Sequence, residues 1–258
     1  MMELGLDLNL ILLLSTVAFA AGFIDAVAGG GGLLTIPALL TAGLPPHLAL
    51  GTNKLAASFG SFTASWTFYR KQLFNPQFWR GSVLATFIGA AAGTLAVDLF
   101  SADLLNRILP LVIVIIALYT LLAPSPCDEQ RGLPEKDRAL RTKQWSQGVS
   151  LGFYDGFAGP GTGAFWTVSS MVLYRMNILL SSGLARSMNF VSNATSLGFF
   201  IGLGHVHFGI GLAMGLCLMA GAWIGAHSAI RFGSRFIRPV FISVVLIIAG
   251  KLAVEAWL

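Results

Sequence analysis

Gly22-Phe23-Ile24-Asp25-Ala26-Val27-Ala28-Gly29-Gly30-Gly31-Gly32 is the stretch that decides the fold. It interrupts an apolar segment, residues 9–42, that would be about 51 Å long as one helix, against about 30 Å of membrane hydrocarbon. Consecutive glycines destabilise a helix interior and mark a break. The pattern returns as Gly152-Phe153-Tyr154-Asp155-Gly156-Phe157-Ala158-Gly159, shifted by 130 residues (22 to 152). The second copy interrupts residues 145–173, which carry Gly159-Pro160-Gly161-Thr162-Gly163. Each segment therefore reads as a broken-helix, re-entrant hairpin that enters the membrane and returns on the same side. The apolar N-terminus lacks the basic start of a signal peptide and runs directly into the glycines, so it reads as mature structure.

Working outward, the rest of the chain supports a membrane setting. Of 258 residues, 55% are hydrophobic and 10% charged, against about 25% charged in a soluble domain. A water-soluble protein of this size lacks the charge to cover its surface. That excludes an ordinary cytosolic enzyme, a disordered chain and a nucleic-acid binder, despite a net charge of +5. Six further stretches have the length of one crossing: 47–68, 79–99, 104–123, 182–203, 208–230 and 238–258. The fold class expected is an all-α polytopic membrane protein. Residues 1–123 form a first repeat, 124–144 a polar linker rich in Pro and charge, and 145–258 a second repeat.

Two more matches support duplication. Gly89-Ala90-Ala91-Ala92-Gly93 recurs as Gly221-Ala222-Trp223-Ile224-Gly225, and Arg107 corresponds to Arg238. Cations concentrate in 69–80, in 124–144 and in 231–238, whereas 100–103 and 204–207 carry none. The positive-inside rule makes the first group cytoplasmic and both termini periplasmic. A hairpin with no net crossing plus three transmembrane helices is an odd count, which makes the two repeats inverted; counting each broken segment as one full crossing would instead make them parallel. Inverted repeats with broken helices meeting at the midplane are a common transporter architecture.

The quoted glycine motif, followed by ALGTNKL at 49–55, a second GF-D-FAG-G and SMNFVSN at 187–193, resembles the sulfite exporter TauE/SafE family of bacterial membrane permeases. The resemblance runs through both halves and is nearest the widely distributed subgroup without a named substrate. It implies a multi-pass permease of the bacterial inner membrane that exports or exchanges small anions, often sulfur-bearing oxyanions and sulfonates. It leaves the particular anion open.

The residues themselves suggest where an anion would sit. Lys54 and Arg186 are matched cations (54 to 186) just inside the helix after each hairpin. A Lys offers a point charge and an Arg a fork for an oxyanion. Asn189, Ser192 and Asn193 follow Arg186 at helical spacing and share its face, while Thr52 and Asn53 accompany Lys54. The break glycines Gly29, Gly30, Gly31, Gly32, Gly159, Gly161 and Gly163, with Thr162, expose backbone N–H groups and helix N-termini suited to an anion. The competing reading is close packing of helices, which fully accounts for Gly89, Gly93, Gly221 and Gly225. Asp25 and Asp155 are acids at membrane depth, where a charge is unfavourable by at least about 2.5 kcal/mol. They serve either proton coupling or structure, by capping freed amides or pairing with the two cations.

No catalytic constellation, phosphate-binding loop or metal-ligand spacing stands out, and no cofactor is expected. His205 and His207 read as water-facing in a short external turn. Trp166 is a candidate for the pathway wall, and Cys127 and Cys217 read as bystanders. The expected partners are a small anionic substrate and the lipid bilayer, with no nucleic acid; a homo-oligomer stays open. The leading expectation is a gradient-driven carrier of a small anion working by alternating access. An anion channel with re-entrant filter loops is the alternative.

Overall fold

The structure, a computed structural model, describes residues 8–109, 132–233, 236 and 239. Every regular element among them is a helix. The first half contains α1 (Leu8–Ala28), α2 (Gly32–Thr41), α3 (Pro46–Arg70) and α4 (Arg80–Asp98), then helical residues 102–109. The second contains α5 (Arg138–Phe157), α6 (Thr162–Tyr174), α7 (Ile178–Gly202) and α8 (Phe208–Phe232). Both halves follow one order: a long helix, a glycine break, a short helix, then two long helices. Most of 104–123 and 238–258, with Arg238 and Cys127, lies outside the described residues.

Two helices start earlier than the sequence suggests, for the same reason. α5 begins at Arg138, inside the expected linker 124–144, because Asp137 Oδ1 accepts from the Leu140 N–H at 2.6 Å. Arg138, Arg141 and Lys143 thus lie in the polar first turns of a helix rather than in a connection. α7 begins at Ile178 rather than 182, because Asn177 Oδ1 accepts from the Leu180 N–H at 2.9 Å. Asn177→Ala should destabilise the protein by about 1 kcal/mol. A thermal-melting midpoint identical to the parent's would show that this cap contributes nothing.

The breaks are made by glycine in a left-handed conformation. Gly29 has φ +89° and Gly159 φ +91°, where a Cβ is strongly disfavoured. Each amide reaches back five residues, to the carbonyls of Ile24 and Tyr154, at 3.2 Å in both cases. That bond closes the end of the long helix.

After each break the short helix runs back along the long one. In the first half the contact is greasy: Leu39 of α2 shares a buried cluster with Leu14 and Ala18 of α1. In the second half it is polar. Gln147 Nε2 donates to Ser169 Oγ and Ser170 Oγ at 2.7 and 3.1 Å. Tyr174 OH donates to Gln147 Oε1 at 2.8 Å, and Lys143 Nζ to the Leu173 carbonyl at 3.1 Å. The end of α6 is thus level with the start of α5.

The two halves interlock. α1 packs on α8 and α4 on α5, so each half lends its long hairpin helix to the other. These contacts are backbone-close: a Cβ at Gly221 or Gly225 would strike the Phe19 or Phe23 carbonyl, and one at Gly89 or Gly93 the Val149 or Phe153 carbonyl. Close packing accounts for these glycines, in agreement with the small-xxx-small spacing. α3 and α7, which correspond in the two halves, cross in opposite directions. Phe62 meets Phe190 with ring centroids 5.2 Å apart, Ser65 Oγ donates to Ser187 Oγ at 3.0 Å, and Gly51 lies against Phe200.

α1, α4 and α8 are long and apolar enough to cross a membrane. α3 and α7, each 25 residues, are at least as long but carry their polar side chains inward, including Asn53, Lys54, Arg186 and Asn189. The outside of the bundle shows Leu12, Leu84, Ile88, Leu216 and Trp223, all more than 45% exposed. Such a continuous apolar exterior suits lipid rather than water.

Candidate functional site

The two glycine breaks meet. The Ala164 N–H at the start of α6 donates to the Gly29 carbonyl at 3.2 Å. A Cβ on Gly29 would collide with Gly163, and one on Gly32 would touch Pro160 at 3.4 Å. The backbones of the two halves therefore touch where both helices are interrupted. A small cavity of about 30 Å³ lies at this junction, room for about two waters. Asp25, Gly29, Gly31 and Gly32 line it from the first hairpin, and Asp155, Gly159, Gly161, Thr162 and Gly163 from the second. α3 adds Asn53 and α7 adds Asn189 and Asn193.

Both expected cations are buried at this junction, Lys54 with 2% and Arg186 with 0% exposure. Each is held by the acid of the opposite half. Lys54 Nζ donates to Asp155 Oδ1 at 2.8 Å and to the Asp155 carbonyl at 2.6 Å. Arg186 Nη1 donates to the Asp25 carbonyl and lies 4.0 Å from Asp25 Oδ1. Arg186 Nη2 reaches the Gly163 carbonyl at 3.4 Å and Thr167 Oγ1 at 3.3 Å. The arrangement is reciprocal but unequal. Asp155 is gripped at both oxygens, since Ser192 Oγ donates to Oδ2. Asp25 instead accepts the Gly31 N–H at 3.1 Å on Oδ1, capping the start of the first short arm.

The cavity wall differs from the sequence expectation in several places. Lys54 and Arg186 do not line it: Lys54 is turned to Asp155, and Arg186 to the Asp25 and Gly163 carbonyls and the Thr167 hydroxyl. Ser192 supports Asp155 rather than facing the cavity. Thr52 faces the turn between α7 and α8, where its hydroxyl accepts the His207 N–H at 2.9 Å. Gly30 does not line the cavity. Trp166 is fully buried beside Trp79 and Tyr174 and does not reach it either. Thr35 was missed. Its hydroxyl donates to Asn53 Oδ1 at 2.6 Å, which leaves the Asn53 amide nitrogen for the cavity. Its counterpart Thr167 (35 to 167) contacts Arg186, so the recurrence of a threonine at that offset was the available signal.

The histidine turn is also less watery than its sequence suggests. His205 Nε2 lies 2.9 Å from Asp98 Oδ1, and its ring stacks on His47 with centroids 5.1 Å apart. His207 Nδ1 accepts the Ile210 N–H at 3.2 Å and caps α8. Among the described residues no group of His, Cys, Asp and Glu could hold a metal ion.

Comparison with known proteins identifies the family. The sequence profile of "Sulfite exporter TauE/SafE" matches residues 14–252. A "Probable membrane transporter protein" of Haemophilus influenzae is 38% identical, with 98% of both chains covered. "Probable membrane transporter protein YfcA" of Escherichia coli K12 is 38% identical over 93% of this chain and 88% of its own. "Probable membrane transporter protein ORF9" of a Sinorhizobium species is 36% identical over 97% and 95%. No solved structure matches. With a match spanning nearly the whole chain and relatives covered end to end, this protein belongs to the sulfite exporter TauE/SafE family of membrane transporters.

Proposed function

We propose that the protein is a secondary-active carrier of a small anion, either a sulfur oxyanion, a sulfonate or a small organic acid. In this reading it lies in the bacterial inner membrane as two inverted repeats with re-entrant hairpins and periplasmic termini. The observation that carries it is the meeting of both helix breaks with two buried cations, the buried Asp155 and the part-buried Asp25 around one cavity. Such groups are unfavourable at membrane depth unless they serve a pathway. The opposed run of α3 and α7, and the return of each short arm along its long helix, support the inverted, re-entrant arrangement.

The anion binds between the two short arms, where the positive ends of both helix dipoles converge on the cavity. Asn53, Asn189, Asn193 and Thr162 add neutral hydrogen-bond donors. Arg186 and Lys54 supply the compensating charge once their hold on the acids loosens. The small cavity suits an occluded carrier, in which one repeat rocks against the other to alternate access.

Uptake into proteoliposomes tests this with sulfite, thiosulfate, methanesulfonate and acetate as probes. Saturable flux of at least one probe is expected. Arg186→Lys keeps the charge but loses the fork, and should lower that flux by about tenfold or more. Full flux in both Arg186→Lys and Arg186→Ala would remove Arg186 from the binding site. Flux that never saturates would make the protein a channel.

A further inference from the structure

The two acids at the junction are related by the repeat, yet the structure treats them differently. Asp155 has each oxygen occupied, Oδ1 by the Lys54 ammonium and Oδ2 by the Ser192 hydroxyl, and its side chain is 5% exposed. Protonating Asp155 would give up its ion pair with the buried Lys54 ammonium and leave that cation uncompensated. Asp25 has one oxygen capped by the Gly31 amide, while Oδ2 accepts no hydrogen bond among the described residues. Its side chain is 18% exposed and lines the cavity. Its cation, Arg186, spends its short contact on the Asp25 backbone carbonyl and stands 4.0 Å from the carboxylate.

The surroundings of Asp25 are otherwise nearly free of charge. Arg186 of α7 faces it directly, and Asp155 of α5, with its partner Lys54 of α3, lies across the cavity. α2, α6 and α8 present Gly32, Thr35, Thr162, Gly163 and Leu218, none of them titratable. An anion entering this cavity meets two carboxylates in its wall, with both cations behind them. Like charges at this separation in a poorly hydrated site repel strongly.

We propose that Asp25, and not Asp155, is the proton-binding site of the junction. A proton on Oδ2 neutralises the only loosely held charge in the wall. It also removes the carboxylate charge that faces Arg186, so that the guanidinium charge is left to balance an anion and the proton prepares the site for one. Asp155 remains ionised as the fixed partner of Lys54. This inference deepens the transport reading and rests on it for its purpose, but the proton site itself is testable without any substrate.

The test is infrared difference spectroscopy of the full chain, reconstituted in bilayers and titrated with acid in the absence of a transported ion. A non-hydrated, protonated-carboxyl band should rise on acidification. It should be missing in Asp25→Asn and retained when Lys54→Met and Asp155→Asn are combined, a pair that removes both partners and leaves no buried charge behind. Circular dichroism and size-exclusion profiles establish that each variant is folded. A band that persists in Asp25→Asn, a band lost in the Lys54/Asp155 pair variant, or no such band in the parent protein would each overturn the assignment. A parent protein that shows the band but carries no probe anion would sink the transport reading and leave the proton site standing. Saturable flux without the band would do the reverse.

Discussion

Lys54→Met lowers the stability of the folded protein by about 3–5 kcal/mol, the usual consequence of deleting one member of a buried ion pair. The reason lies in what stays behind. Asp155 is 3% exposed, its Oδ1 has Lys54 as donor, and the cation also satisfies the Asp155 backbone carbonyl. Removing the ammonium strands a carboxylate oxygen and a carbonyl together where water hardly reaches. Adding Asp155→Asn removes the stranded charge and should recover most of the loss, because absence of both partners is far milder than absence of one. The measurement is the denaturant midpoint in lipid-detergent micelles for the parent, the single variant and the pair. A single variant as stable as the parent would mean that the Lys54–Asp155 contact is not formed in the protein. A pair variant no better than the single one would place the loss in packing of the lysine stem rather than in charge.

This cross-pairing was out of reach of sequence reasoning, although its ingredients were in view. The acids and the cations each recur at a half-length offset. That offset says they occupy equivalent places in their own repeats, not that Lys54 closes on the acid 101 positions later and Arg186 on the acid 161 positions earlier. Exchange of partners between halves follows from three-dimensional interlock, in which α1 leans on α8 and α4 on α5. The glycine breaks were legible because a run of glycines inside an apolar stretch cannot hold a continuous helix. The starts of α5 and α7 were not, since a capping Asp137 or Asn177 looks like any polar connection until its side chain is seen accepting a backbone N–H. Thr52 and Ser192 show the limit of helical periodicity. It placed them near the correct cations, but their hydroxyls are bound to the α7–α8 turn and to Asp155.

The junction itself depends on Gly29 lacking a side chain, and two alanine substitutions separate the reasons. Gly29 and Gly43 both have positive φ, +89° and +85°. An alanine at either position is strained by about 1–2 kcal/mol from the left-handed backbone alone. Around Gly43 there is nothing within 4 Å of an added Cβ, so that strain is the whole effect. At Gly29 the added methyl would drive into the Gly163 carbonyl carbon and the Ala164 nitrogen, both backbone atoms that cannot swing aside. The two hairpins would have to separate, breaking the Ala164 N–H to Gly29 carbonyl bond of 3.2 Å and opening the cavity it helps close. Overpacking of this kind adds about 1–3 kcal/mol, so Gly29→Ala should lose roughly twice the stability that Gly43→Ala loses. It should also lose anion flux, whereas Gly43→Ala should keep it, because only Gly29 stands where the halves touch. Equal midpoints for the two variants would show that the breaks do not meet, and flux retained in a folded Gly29→Ala protein would show that their contact has no part in transport.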